Sequence, residues 1–179
     1  MSRVANRYAK ALFALARERG TLEETAAQLD RLGAIAADAG VAPVLRNPLL
    51  SPSRRRALAE TLGRDVSAAE MLSHFLGVLA DHQRLGELPF IAEDYQRLLD
   101  NAVGRVRIAV RTAQPLEPAQ LERISSTFAQ LTGKRVVATV AVDPELLGGV
   151  VVAVEGKVYD GSVRTRLERI ARGLAGSAL

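Results

Sequence analysis

Up to Gly104, apolar residues recur every three or four positions, which is the spacing of amphipathic helices. The segment from Arg3 to Arg19 shows this period clearly, and Gly20 follows it as a residue that commonly ends helices. Six helical segments are predicted in this part of the chain, with a short turn around Pro43 and the last helix beginning near Glu87. The pattern therefore predicts an all-α six-helix bundle over residues 1–104.

Polar residues at the breaks between these segments predict where helices begin. Two pairs have the three-residue spacing of a capping box: Thr21 with Glu24, and Ser67 with Glu70. Ser51 followed by Pro52 is typical of a cap with a first-turn proline. The helix that begins there is expected to expose three consecutive arginines, Arg54, Arg55 and Arg56.

From Arg105 the period changes to two, because Val106, Ile108 and Val110 alternate with arginines, as in a strand with one wet face. A helix is predicted from 118 to 132, followed by β-branched runs at 136–142 and 150–154. Gly156 lies at a predicted two-residue hairpin turn, and Ser162 is expected to cap a last helix. Residues 105–179 thus read βαβββα. We predict an α+β two-domain protein, in which the bundle precedes a small α/β domain with a mixed sheet.

The composition fits two folded domains. With 179 residues and 48% hydrophobic content the chain can bury a core, and only 4% of it is aromatic, which favours helices packed through Ala, Leu and Val. The absence of Cys excludes disulfides, thiolate zinc sites and a cysteine nucleophile. The N-terminal stretch lacks the apolar region of a signal peptide, and no window of about 18 uncharged apolar residues occurs. Any membrane association is therefore expected to be peripheral.

The positive charge is unevenly distributed. Residues 1–104 hold 13 Lys/Arg and 13 Asp/Glu, whereas residues 105–179 hold 11 Lys/Arg and 7 Asp/Glu. The last helix carries arginines at 164, 166, 169 and 172 against Glu168 alone. Such a basic face fits an acidic protein surface or a nucleic acid. Its domain has only Phe128 and Tyr159 as aromatic residues and no GxxG loop, which favours the protein partner and leaves a small basic nucleic-acid-binding adaptor as the alternative.

Catalytic motifs are not evident in the sequence. Gly133-Lys134 lacks the preceding glycine of a phosphate-binding loop, and His74 and His82 do not form an HExxH arrangement. Asp143 and Asp160 lie beside Pro and Gly in turn contexts, where Asp favours local hydrogen bonds. No Ser lies in a Gly-x-Ser-x-Gly elbow. We therefore predict a protein that is not an enzyme and has no catalytic residue, metal or cofactor.

The first helix carries more apolar positions than one buried stripe requires. Tyr8, Leu12 and Leu15 point one way, whereas Ala9 and Phe13 point another. Together with the broad apolar face between Met71 and Leu79, these positions have two interpretations. They form a groove for a partner's amphipathic helix, or all of them are buried in the bundle core. Spacing alone leaves both interpretations open.

Several stretches resemble the delta subunit family of F-type ATP synthases, which is similar to the mitochondrial oligomycin-sensitivity protein. They are RYAKALF at 7–13, Asn47-Pro48, RL at 84–85 with LP at 88–89 and Tyr95, VDPELLGG at 142–149, and DGSVR at 160–164 with Leu167. The resemblance runs nearly end to end. The departures are small, with Leu147 where Ile is common and arginines at 54–56 in place of a more lysine-like pattern.

The resemblance implies a non-catalytic connector, one copy per complex, that ties the alpha/beta head to the outer stalk. Its first and fifth helices would receive the N-terminal helix of an alpha subunit, through Tyr8, Ala11, Leu12, Leu15, Phe75, Val78 and Leu79. Its C-terminal domain would meet the ends of the b subunits, through the glycine pair and the helix from Val163 to Arg172, specifically Gly148, Gly149, Arg164, Arg166 and Arg169. It further implies a peripheral protein on the cytoplasmic face of a bacterial cell membrane, held there through the complex, with no cofactor and no nucleic acid.

Overall fold

The structure is a computed structural model that describes residues 3–176, with side chains to residue 169. The chain divides into two compact units between Leu99 and Asp100. Eight α-helices and one four-stranded mixed sheet occur in the described residues, which confirms a helix-rich α+β protein. That residues 1–104 form a single six-helix bundle stays a prediction.

The helices that precede the sheet have these bounds: α1 Arg3–Arg19, α2 Leu22–Ala37, α3 Ala42–Leu45, α4 Pro52–Asp65, α5 Glu70–Asp81 and α6 Leu88–Ala102, with a 3-10 turn at Leu85–Glu87. Helix α1 buries a stripe of mostly small side chains, Ala5, Ala9, Leu12 and Ala16. Small residues on one face let neighbouring helices approach closely, and larger aliphatic side chains fill the rest of the core. Among the fully buried ones are Leu29, Leu32, Leu72, Leu76 and Ile91.

Neither predicted capping box forms: Thr21 occupies the N-cap of α2 without a side-chain cap bond, after Gly20 has closed α1, and Ser67 lies in the turn that closes α4. The N–H of Thr21 donates to the Ala16 carbonyl at 2.9 Å, and the Thr21 side chain makes no cap hydrogen bond. Ser67 has φ 52°, and the next N–H, of Ala68, donates to the Gly63 carbonyl at 2.8 Å. Both are the six-to-one bond of a helix C-terminus that ends in a left-handed residue. In contrast, Ser51 caps α4 as predicted, since its hydroxyl accepts from the Arg54 N–H at 3.4 Å.

Arg55 is buried, although the sequence predicted it to be exposed with its two neighbours. Its side chain is 9% exposed and donates to two carbonyl oxygens, from Nε to Ala80 at 3.1 Å and from one terminal nitrogen to Leu50 at 2.7 Å. Arg56 is exposed and forms a two-point ion pair with Asp81, at 2.7 and 3.0 Å. The burial is possible because the Ala80 carbonyl, in the last turn of α5, and the Leu50 carbonyl, just before α4, both accept from the guanidinium.

The sheet has the strand order β2-β1-β3-β4, with bounds β1 Arg105–Thr112, β2 Arg135–Val142, β3 Val150–Val154 and β4 Lys157–Asp160. β1 and β2 are parallel and are joined by helix α7, Pro118–Thr132, whereas β1 with β3 and β3 with β4 are antiparallel. The predicted hairpin turn is confirmed, because Glu155 and Gly156 have φ values of 47° and 81°. Helix α8, Val163–Gly176, follows β4.

The core of the second unit lies between α7 and one face of the sheet. Its buried members are Val106, Ile108, Val110, Phe128, Val152 and Val154. Just before β1, the carboxylate of Asp100 accepts from the Nε of Arg105 and the Nε of Arg107, each at 2.7 Å. Asp100 is 8% exposed, so this bridge is largely shielded from water and ties the residues before β1 to the strand itself.

Candidate functional site

Helices α1 and α5 each carry a half-exposed apolar stripe beside the buried one. The rings of Tyr8 and Phe75 meet edge to face, with centroids 6.1 Å apart and an angle of 75°. Both rings are only partly buried. We call the surface formed by Tyr8, Ala11, Leu15, Phe75 and Val78 the α1/α5 face. The Tyr8–Phe75 contact brings the two stripes of this face together.

The seven predicted alpha-subunit contacts divide into two groups in the structure. Leu12 and Leu79 have no exposed surface and belong to the core. Leu15 is 48% exposed and Val78 is 46% exposed, and Ala11 is exposed as well. A side chain with no exposed surface cannot touch a partner, so only the members of the α1/α5 face are available for binding in this conformation.

A cleft that the sequence did not predict lies between α4 and α5. Its volume is about 1060 Å³, and small residues such as Ala59, Gly63 and Gly77 leave the space open. Val78 lines it from α5, together with His74 and the Arg56–Asp81 ion pair. The signal in the sequence was the pair of small residues on α4, which helix periodicity alone cannot assign to a cleft or to a close contact.

The charge along α1 is strongly positive. The helix carries Arg3, Arg7, Lys10, Arg17 and Arg19 against Glu18, and it has no acidic residue in its first turn. Arg7 and Lys10 are exposed. An acidic or amphipathic segment would therefore find both apolar contact and charge complementarity along this helix.

In the second unit, the predicted glycine pair packs against the start of α8. A Cβ on Gly149 would lie 2.4 Å from the Gly161 carbonyl oxygen, and φ at Gly149 is +83°. A Cβ on Gly148 would lie 3.0 Å from Val163. The Gly148 carbonyl accepts from the Val163 N–H at 3.0 Å. Both glycines thus let the backbone approach the first residues of α8 closely, which gives the pair a structural role.

The DGS sequence before α8 forms the helix cap that was predicted for Ser162. The Ser162 hydroxyl accepts from the Thr165 N–H at 3.2 Å, while the Asp160 carboxylate accepts from the Ser162 N–H at 2.9 Å and the Thr165 hydroxyl at 2.8 Å. These hydrogen bonds lower the pKa of Asp160 below its ordinary value of 3.8, and the bond from the Ser162 backbone N–H has the largest effect. The carboxylate is therefore charged while it holds the helix start.

A pocket of about 550 Å³ opens beside the glycine pair, lined by the end of β1, the start of α7 and residues 147–150. Leu147 stands at its edge with 72% of its surface exposed and φ 58°. Leu116 and Ile124 supply apolar walls, and Arg123 supplies a positive charge. The predicted glycines are thus at the rim of a concave surface, although they do not offer side chains to a partner.

Helix α8 exposes apolar and basic side chains together. Val163 is 42% exposed and Leu167, one turn later, is 55% exposed. Arg164, Arg166 and Arg169 are also exposed, and Arg164 pairs with Glu168 at 3.3 Å. The side chain of Arg172 lies outside the described residues. The sequence named the helix from Val163 to Arg172 and singled out its arginines; the exposed Val163 and Leu167, at i, i+4 spacing, are further candidates on the same helix.

Within residues 3–176 the structure brings together no group of three His, Cys, Asp or Glu side chains that could hold a metal ion, and His74 and His82 are both exposed. None of the helices described is long and apolar enough to cross a membrane. Phe128 and Tyr159 pack edge to face, with centroids 5.3 Å apart, and Phe128 is only 8% exposed. Tyr159 is 42% exposed, and this pair is a single edge-to-face contact and not a row of stacking rings.

Comparison with known proteins places the chain in a family. Residues 4–174 match the family described as ATP synthase delta (OSCP) subunit. The chain is 39% identical to the ATP synthase subunit delta of Citrifermentans bemidjiense, over 93% of each chain. It is also 39% identical to that of an Anaeromyxobacter species, strain Fw109-5, over 97% of this chain and 98% of the relative. Its fold is similar to that of a chain in the cryo-EM structure of the Toxoplasma gondii mitochondrial ATP synthase hexamer, with a TM-score of 0.71, 19% identity, and 97% and 98% of the two chains covered. The chain therefore belongs to the ATP synthase delta (OSCP) subunit family.

Proposed function

We propose that this ATP synthase subunit is the non-catalytic connector that holds the alpha/beta head to the peripheral b stalk, one copy per complex, so that proton-driven rotation is coupled to ATP synthesis. The observation that carries the proposal is that each compact unit keeps an apolar surface outside its own core. The α1/α5 face belongs to the first unit, and the exposed side of α8 belongs to the second. A connector needs two such surfaces on different parts of the chain.

The α1/α5 face of the proposed six-helix bundle, residues 1–104, would receive the N-terminal helix of an alpha subunit. An amphipathic helix binds a groove through residues spaced three and four apart, and the exposed Leu15 and Val78 are available for such contacts. The Tyr8–Phe75 ring pair supports the site because it gives the surface a fixed shape before binding. The positive charge of α1 favours an acidic partner segment.

The C-terminal domain, residues 105–179, would bind the ends of the b subunits through α8 and the pocket rim. Val163 and Leu167 would pack against an apolar stripe, and Arg166 with Arg169 would face acidic residues. Gly148 and Gly149 contribute by fixing the start of α8 rather than by contact. Arg164 has a smaller expected role because Glu168 already pairs with it.

To keep the alpha/beta head from rotating, the connector must dissociate slowly from its partners while torque acts on the head. Two modest contacts in one chain achieve this, because once the first has formed the second becomes intramolecular and its effective concentration rises. The proposed location, on the cytoplasmic face of a bacterial membrane, follows from attachment to the complex. This role requires no catalytic residue and no cofactor.

The connector proposal is tested by titrating the purified full-length chain with two probes, the N-terminal peptide of the organism's own alpha subunit and the soluble part of its b subunit. Leu15→Asp and Val78→Asp should weaken peptide binding at least about tenfold, since each places a charge in the apolar contact. Leu167→Asp should weaken b binding to a similar degree. Leu131→Asp, at a position on α7 that is 61% exposed, is the matched control for both.

Each variant should affect one probe only. If Leu15→Asp and Val78→Asp bind the alpha peptide like the unchanged protein, the α1/α5 face is not the alpha site. If Leu167→Asp binds b normally, the stalk contact lies elsewhere in the chain. If all variants, including the Leu131→Asp control, lose binding to both probes, the cause is unfolding. Circular dichroism would detect that unfolding.

A further inference from the structure

The outer edge of β2 carries backbone groups without partners. The N–H of Arg135 donates to the Gly104 carbonyl at 2.9 Å, and the N–H of Asp143 donates to the Thr112 carbonyl at 2.7 Å. In a parallel pair every second residue directs both its N–H and its C=O to the neighbouring strand. The odd-numbered residues of β2 therefore bond to β1, and the even-numbered ones direct their backbone groups outward. These four outward residues are Val136, Ala138, Val140 and Val142.

No hydrogen bond within the described residues reaches these outward groups. The side chains at this edge are aliphatic and increasingly exposed toward its end, from Val140 at 37% to Val142 at 50%. The strand is eight residues long, contains no proline, and has no charged residue after Arg135. A long, uncharged and exposed edge is a template for pairing with another strand.

The opposite edge of the same sheet is protected in the usual way. β4 has only four residues, begins with Lys157 and ends with Asp160, and its Asp160 side chain is engaged by the α8 cap. Short length and charged residues are the common means by which edge strands avoid further pairing. The two edges of the sheet thus differ: β4 is short and bounded by charged residues, whereas β2 has neither feature along its outer edge after Arg135.

We propose that the β2 edge binds an extended segment of a partner protein, which adds a fifth strand to the sheet beyond β2. The segment would alternate aliphatic residues, to pack beside Val140 and Val142, with polar ones, and would carry an acidic residue near Arg135. Backbone hydrogen bonds would supply much of the affinity and the aliphatic positions the register. This surface is made of β2 residues alone and includes none of the α8 residues proposed for the stalk contact.

A partner segment fits the edge better than a second copy of this chain. Residues 105–179 carry 11 Lys/Arg against 7 Asp/Glu, so two copies would bring positive charge together. Arg135 is exposed at the start of the edge, whereas its neighbour Lys134 is already paired with Glu155 at 2.7 Å. An acidic segment complements this end of the strand, and a second β2 strand does not.

Hydrogen exchange at single residues tests the proposal, first on the free full-length chain and then on the same chain in purified ATP synthase. In the free chain the amides of Val137, Thr139 and Ala141, which bond to β1, should be protected from exchange. The amides of the four outward residues should exchange freely in the same sample. Assembly into the complex should slow exchange of the outward amides at least about tenfold.

Two proline variants separate strand addition from ordinary surface contact. Val140→Pro removes one outward N–H at an edge position where proline is tolerated, and Val158→Pro is the matched change on β4, where the two-residue hairpin directs the Val158 N–H outward. Val140→Thr keeps the N–H and the branched shape. Val140→Pro should reduce retention of the chain in the complex about tenfold, while Val158→Pro and Val140→Thr should retain it.

Three outcomes would overturn the proposal. The first is fast exchange of the outward amides in the assembled complex. The second is equal retention of Val140→Pro and Val140→Thr. The third is protection of the outward amides in the free chain that grows with its concentration, because this would identify a second copy as the strand that binds.

Discussion

The two compact units bury their apolar residues to different degrees. In the first unit, large side chains such as Leu72, Leu76 and Tyr95 have no exposed surface. In the second unit, the core is a single layer between α7 and one face of the sheet, and most of the exposed large apolar side chains of the described residues are found there, from Leu131 to Leu167. The first unit buries its large apolar side chains more completely, whereas the second leaves more of them exposed to water.

This difference indicates two ways of building a binding surface. The first unit can present the α1/α5 face as a fixed shape, because the core beneath it is already closed and the Tyr8–Phe75 pair is in contact. The second unit gains buried apolar area only when a partner covers it, so its stability should depend on the partner more strongly. A ligand that binds only the folded state stabilises it according to its concentration and affinity.

The largest expected effect is on the closed core of the first unit. Leu76→Ala should lower the free energy of unfolding by about 3 kcal/mol, because it removes a fully buried side chain and leaves a cavity. Leu131→Ala, at a site that is 61% exposed in the second unit, should change it by less than about 0.5 kcal/mol. Urea unfolding followed by circular dichroism measures both. Similar losses for the two variants would break the contrast between the units.

A smaller effect is expected from the glycine pair of the second unit. Gly149→Ala should destabilise that unit by about 2 kcal/mol, since the added Cβ would meet the Gly161 carbonyl oxygen at 2.4 Å and φ is +83°. Gly156→Ala is the matched control, with φ +81° and open space around the new Cβ, and should cost about 1 kcal/mol. Hydrogen exchange of peptides from each unit would locate the loss. Equal costs would mean that close packing against α8 does not stabilise the unit.

The smallest expected effect concerns the charge of Asp160 at the start of α8, whose contribution to the stability of the second unit depends on pH. The folded-state pKa of Asp160 is lowered, so its contribution to stability is present above its unfolded pKa and is lost as pH falls through the folded value. Asp160→Asn should therefore be less stable than the unchanged chain at pH 7, and the difference should shrink below about pH 4. Urea midpoints at neutral and acidic pH test this, with the exposed Glu145→Gln as control. A difference that does not change between about pH 7 and about pH 3 would show that the charge is not involved.

Much of the fold could be predicted from the sequence, and the errors have a common cause. Strong periodicity predicted α1 from Arg3 to Arg19, and the turn chemistry of Gly156 predicted the hairpin, because these signals are local. Spacing could not tell which of two adjacent stripes turns inward, so buried Leu12 was grouped with exposed Leu15. Arg55 was missed for the same reason, since its partners lie at the end of another helix and in the preceding turn.

The capping errors and the candidate site show the same limit. A Ser three residues before a Glu fits a helix start, yet Ser67 takes the left-handed position that closes α4. The glycines at 148 and 149 stood out in the sequence, but only the structure showed that they pack against the start of α8. The resemblance to a family indicated which elements to examine, and the exposure of each side chain then decided which residues can touch a partner.

The position of β1 in the sheet has a mechanical consequence. This strand is the first of the second unit; it is central and is hydrogen-bonded on one side to β2 and on the other to β3. A pull along the axis of β1 would therefore load both ladders in shear, so that many hydrogen bonds resist together instead of opening one by one as in peeling. The Asp100 bridge to Arg105 and Arg107 lies at the point where such a force would arrive. The ladders on both sides of β1 thus hold the strand against a pull along its own axis.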